Sequence, residues 1–244
     1  MDIVGQGASA RLLVCPVLHM DAARANKKCC QVNSHGELIN SPPETHEQDS
    51  DSFKMYLGTC SSTPMFVPQQ PSTKPNSDPP SPQYWETQSV VGVASEELQL
   101  SILETGVSED GKMDKWYRAC NQFRSWCVRV WSCDRHQGRI CTIVYREGER
   151  GRCLTDTMPH SPGAQATLHY GVVLDVERGR LGFIDLDREV VLAKIDVEIR
   201  EPLYPMFGVV PKSSECTVNM KLICGEDITM TAMKKSLIYK VLTQ

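Results

Sequence analysis

The sequence predicts an all-β protein, a two-sheet antiparallel β-sandwich with short N-terminal helical turns and either a helix or a final strand at its end. Two observations carry the prediction. Short apolar, β-branched runs follow one another through the second half of the chain, separated by glycine and polar turns. That succession suits a sandwich or barrel. Helical periodicity, by contrast, is scarce before residue 229.

In order along the chain, residues 1–12 are small and polar and are expected to be flexible. Leu13 to Val17 suggests a first strand. The stretch 21-DAARANKKCCQV-32 contains Ala and Lys and reads as a helical turn. A turn and short strand are expected in 35-HGELIN-40, then a polar loop over 41–52. Alternation in 53-FKMYLG-58 suggests another strand. Seven prolines make 61–83 unable to sustain a ladder or a helix, so it is expected to be an exposed insertion. Strands are then expected at 89–94, 125–132, 139–146, 170–177, 181–187, 189–195, 206–210 and 216–224. Residues 104–124 are polar and read as a loop, and 147-EGERG-151 as a turn. In 229-TMTAMKKSLIYKVL-242 the apolar residues fall at near-helical spacing, with Asp227 or Thr229 as the N-cap. A strand at 236–242 is the competing reading.

The chain of 244 residues is long enough for a substantial core. Its net charge of -4 offers no concentrated basic face, so nucleic acid is not an expected partner. No apolar run is long enough for a membrane helix. The eleven cysteines show no Cys-x-x-Cys pair, and no secretory leader is recognised at the N-terminus. The expected setting is therefore reducing and cytoplasmic, with cysteines acting as small buried apolar residues. The six histidines read as dispersed, none paired with another His or Cys at ligand spacing. No metal, cofactor or catalytic residue is assigned.

Two patterns could carry chemistry. In 170-YGVVLDVERGRLGFIDLD-187, strand alternation would put Asp175 and Glu177 on one face. Two such carboxylates could do acid-base work or bind a cation. No nucleophile stands near them in sequence. The other reading makes Asp175 a scaffold residue that accepts backbone N–H or arginine hydrogen bonds near the hairpin. In 125-SWCVRVWS-132, Trp126, Val128 and Val130 share one face, and Cys127, Arg129 and Trp131 the other. An arginine beside a tryptophan is a pairing enriched at binding hot spots. The alternative has Trp131 under a loop and Arg129 merely solvated. Trp116 and Tyr117 form a second aromatic pair, read as an anchor or as edge cover.

Several motifs, in order, resemble the PRY-SPRY family of the tripartite-motif, RING-type ubiquitin ligases. Leu174, Asp175, Glu177, Gly179 and Phe183 match its Leu-Asp-x-Glu strand, turn and following strand. Pro202, Leu203, Pro205 and Phe207 match its Pro-Leu-x-Pro-x-Phe segment. The stretch beginning at Asp21 looks like the PRY segment, and 84-YWET-87, with Trp85 and Glu86, like its Tyr-Trp-Glu-Val motif. The chain between Trp85 and Val91 is shorter than the family pattern, as if a hairpin tip were missing.

The resemblance implies a PRY-like segment over 13–60, an SPRY-like sandwich over 84–224 and an extension over 225–244. It also implies a non-enzymatic module that binds a protein or peptide through loops at one end of the sandwich. Its context would be substrate recognition in ubiquitin and innate immune signalling, with Arg129, Trp131, Trp116, Tyr117 and Lys212 as contacts. The rival readings are a metal-binding or hydrolytic enzyme using Asp175, Glu177 and cysteines, and a truncated variant with an impaired fold.

Overall fold

The computed structural model describes residues 2–4, 11–40, 56–66, 80–94, 101–109, 119–121, 123–210 and 216–243. Its strands are β1 (Asp2–Val4), β2 (Arg11–Leu13), β3 (Cys30–Val32), β4 (Leu38–Asn40), β5 (Gly58–Cys60), β6 (Gln83–Val93), β7 (Ser101–Glu109), β8 (Ser125–Ser132), β9 (Ile140–Arg146), β10 (Glu149–Met158), β11 (Gln165–Asp175), β12 (Arg180–Asp185), β13 (Val190–Asp196), β14 (Leu203–Val209) and β15 (Cys216–Ile223). One α-helix, α1 (Ala232–Leu242), follows.

Two antiparallel sheets face each other. A seven-stranded sheet runs β13-β12-β11-β6-β15-β4-β3, and a six-stranded sheet β10-β9-β8-β7-β14-β5. Between them, Trp85, Val91, Val172, Leu174, Phe183 and Met220 meet Leu103, Val107, Trp126, Val128, Phe207 and Val209. Fully burying one such side chain stabilises by roughly 1.5–3 kcal/mol. Strand alternation explains the selection, since each strand sends every second residue inward. Leu192 and Leu222 pack against this cluster from partly buried positions. β3, β4 and β5, from the PRY-like stretch, are strands of the same two sheets rather than a separate body.

Four expectations require correction. First, residues 83–93 form one continuous strand, paired along β11 and β15, so no hairpin is lost between Trp85 and Val91. Second, residues 104–109 of the stretch expected to be a loop belong to β7, which is buried along its whole length between β8 and β14. Its two glutamates tolerate burial there because they are partnered: Ala119 N donates to the Glu104 carboxylate at 2.9 Å, and Arg200 N to Glu109 at 2.9 Å. Third, residues 21–32 form turns leading into β3, with no helix. Fourth, only 147 and 148 turn, and β10 begins at Glu149.

The end of the chain is a helix. Thr231, rather than Asp227 or Thr229, caps it, its side chain accepting from Lys234 N. The helix buries Leu237, Ile238, Val241 and Leu242 against Tyr84, Val173, Ile184 and Leu186 on the outer face of the seven-stranded sheet. Gly182 permits this approach, since a Cβ there would stand 2.2 Å from Val241 Cγ1. Valine's χ1 is stiff in a helix, so Val241 cannot easily turn aside. Gly182→Val should therefore lift α1 from the sheet and destabilise the fold by about 1–3 kcal/mol. Limited proteolysis should then remove the C-terminal segment faster than in wild type. Unchanged cleavage and an unchanged melt would refute this packing.

Candidate functional site

The carboxylates of the β11–β12 hairpin are separated by the turn. β11 ends at Asp175, which is fully buried, while Glu177 lies in the turn and is exposed. The strand alternation expected to align them stops before Glu177. Arg178 N donates to Asp175 Oδ1 at 3.2 Å, as the scaffold reading expects.

The same device recurs at the next hairpin. Arg188 N donates to Asp185 Oδ1 at 3.0 Å, and its guanidinium donates to Oδ2 at 3.1 Å. It recurs again near the N-terminus, where Asp21 Oδ1 accepts from Ala23 N at 2.9 Å and Arg24 N at 3.2 Å. All three turns read Asp-x-x-Arg. An aspartate that satisfies the backbone N–H groups of its own turn is a structural element. This arrangement supports no acid-base pair.

A second polar cluster lies under α1. Glu86 is fully buried on β6. Lys234 Nζ lies 2.6 Å from its Oε1, the Tyr84 hydroxyl donates to Oε1 at 2.8 Å, and His169 Nε2 lies 2.7 Å from Oε2. Burial alone would raise this carboxyl. The hydrogen bonds from His169, Lys234 and Tyr84 outweigh it and hold the group below its ordinary range. This network fastens the helix to the sheet.

The outer face of the six-stranded sheet is different in kind. β8 alternates as predicted: Trp126, Val128 and Val130 enter the core, while Cys127 and Trp131 belong to a smaller outer cluster. Arg129 is held in place. Its Nε donates to Ser101 Oγ at 2.9 Å and lies 3.8 Å from Glu104 Oε1. The simple solvated-arginine alternative is therefore set aside. Its guanidinium covers the Trp131 ring at 4.7 Å, and the Arg150 guanidinium covers the same ring at 4.5 Å. Tyr145 lies 5.8 Å from the Arg129 guanidinium. Farther along this face, Arg24 covers the Tyr204 ring at 5.4 Å. Trp131 is half-buried, and its indole Nε1 is buried with no hydrogen-bond partner. The result is an indole ring held by two guanidinium groups, each contact worth roughly 0.5–2 kcal/mol.

Beside this platform, Cys133, His136, Cys141 and Cys153 bring their ligand atoms within 4.8 Å of one another. Sequence reasoning missed this cluster. The spacing of Cys133 and His136 in 133-CDRHQGRIC-141 was the available signal. It also missed Arg150, because that residue was read as part of a turn. Trp116, Tyr117 and Lys212 lie outside the described residues. A polar cleft near Phe123 is self-satisfied: Arg124 pairs with Glu109 at 3.1 Å, Arg200 with Glu198 at 2.6 Å, and Arg146 donates to the Asp196 carbonyl at 3.4 Å.

No family model matches the sequence, and no curated protein matches it closely. Solved structures do match the fold. The crystal structure of the TRIM65 PSpry domain aligns with a TM-score of 0.52 at 14% identity, covering 86% of this chain and 93% of that one. The stonustoxin structure aligns with a TM-score of 0.50 at 13% identity, covering 84% of this chain and 28% of that one. The strand order, the face-to-face sheets and these alignments agree: this chain has the PRY-SPRY sandwich fold.

Proposed function

We propose that the protein is a protein-interaction domain that reads a protein or peptide partner with the outer face of its six-stranded sheet, centred on Trp131. The observation that carries this reading is the indole itself. It is half-buried, held by Arg129 and Arg150, and packed against a buried cluster that includes Tyr145. A rigid aromatic anchor loses little side-chain entropy on binding, and Trp, Tyr and Arg dominate interface hot spots. The fold likeness to the TRIM65 PSpry domain supports binding over catalysis. We propose that it acts in substrate recognition within ubiquitin signalling, a reading that the likeness and the motif resemblance support, and in the reducing cytoplasm, a reading that its cysteine-rich sequence supports. Trp116, Tyr117 and Lys212 are proposed as further contacts on the motif resemblance and their residue types alone.

The cleanest probe is Trp131→Glu. It removes the aromatic plane and sets a carboxylate near two guanidinium groups that can pair with it. Arg129→Ala is a poorer probe, because it strands the buried Glu104. Proximity labelling in cells by the wild-type chain and by folded Trp131→Glu should differ by a defined set of neighbours. Identical sets from the two proteins would place recognition elsewhere.

A further inference from the structure

We propose that Cys133, His136, Cys141 and Cys153 form a structural Zn²⁺ site that pins the 133–139 loop against the Trp131 platform. The four residues come from three places in the fold. Cys133 and His136 lie in the loop leaving β8, Cys141 is on β9 and Cys153 on β10. The loop reverses through left-handed backbone at Gln137 (φ 54) and Gly138 (φ 77). His136 N and Gly138 N both donate to the Cys133 carbonyl, at 3.1 and 3.0 Å. The turn therefore delivers Cys133 and His136 to one point.

The separations suit the ion. Cys133 Sγ and Cys153 Sγ are 4.0 Å apart, and His136 Nδ1 lies 3.5 Å from both Cys141 Sγ and Cys153 Sγ. Zinc bonds of about 2.3 Å to sulfur and about 2.0–2.1 Å to nitrogen give tetrahedral edges of about 3.8 Å between sulfurs and about 3.5 Å between sulfur and nitrogen. No disulfide links these thiols, and a sulfur pair 4.0 Å apart is well beyond the roughly 2.05 Å of one. Three thiols and one imidazole make a closed ligand set, as in structural rather than catalytic zinc sites.

The surroundings suit the charge as well. Three thiolates around Zn²⁺ leave one net negative charge. The Arg150 guanidinium donates to Cys133 Sγ at 3.0 Å and neutralises it from outside the ligand set. The same guanidinium covers Trp131 at 4.5 Å, and Trp131 pairs in register with Cys141 across β8 and β9. Metal binding would thus stiffen the loop and the platform together.

The test is metal analysis of the chain purified under reducing conditions from zinc-containing medium. The expected result is about one tightly held Zn²⁺ per chain, the occupancy of a single closed site. Replacing it with Co²⁺ should give thiolate charge-transfer and tetrahedral ligand-field absorption. Chelation should lower the melting temperature and added Zn²⁺ should restore it, as for any ligand that binds only the folded state. Cys141→Ser/Cys153→Ser should lose the metal and the Zn²⁺-dependent shift. Wild-type protein that stays metal-free, melts identically with and without Zn²⁺, or instead forms a Cys133–Cys153 disulfide would overturn the proposal. The wild-type outcomes decide the proposal without depending on the variant folding.

Discussion

Glu86→Ala is expected to destabilise the fold by about 3–5 kcal/mol, because it leaves Lys234 and His169 facing a buried void with no acceptor. For a chain of this size, that lowers the melting temperature by on the order of 10 °C. The loss comes from uncompensated charge, so it should be largely recovered in Glu86→Leu/Lys234→Met, where apolar groups replace the ion pair. A thermal or denaturant melt of the three proteins checks both statements. Equal stability of the single and double variants would mean the network contributes little.

The same group predicts a pH dependence. Its carboxyl titrates below the ordinary value of 4.5 in the folded chain. A depressed acid contributes stability above its unfolded value, and that stability is lost as pH falls through the folded value. Asp187 and Glu109 act with the opposite sign, since burial raises both. The comparison of wild type with Glu86→Gln isolates the Glu86 contribution: the variant should lose less stability between neutral and acid pH.

How much of this was legible in the sequence depended on whether the information was local. The alternation of 125-SWCVRVWS-132 was read correctly, because a strand's own period sorts its residues between faces. The Asp-x-x-Arg turns were also local, and the scaffold role of Asp175 followed from the neighbouring arginines. β7 was misread because a central strand buries both faces. Glu104 and Glu109 look like loop residues until their partners, Ala119 and Arg200, arrive from elsewhere in the chain. The platform was half-visible for the same reason. Arg129 and Trp131 share a strand, but Arg150 reaches the indole from β10, a pairing set by register between strands. The cysteine–histidine cluster combines both cases. Cys133 and His136 are neighbours in sequence, whereas Cys141 and Cys153 join them only through the β9–β10 pairing.

The second large effect concerns Trp131. Replacing it with alanine removes the stacked plane and both guanidinium contacts, while the core residues Trp126, Val128 and Val130 on the same strand stay in place. The melt should fall by only a few degrees, in keeping with a half-buried residue at the outer face. Binding should suffer far more. A hot-spot aromatic contributes about 2 kcal/mol or more on truncation, roughly a 30-fold loss of affinity. Tyr239 is the matched control, since it is exposed on α1, which covers the other sheet.

The decisive measurement is the affinity of peptides selected by display on the immobilised wild-type domain, determined in parallel for wild type, Trp131→Ala and Tyr239→Ala. The account predicts a loss of at least about 30-fold for Trp131→Ala and no change for Tyr239→Ala, with all three proteins melting cooperatively. Peptides that bind folded Trp131→Ala as tightly as wild type, or that lose affinity only for Tyr239→Ala, would contradict it.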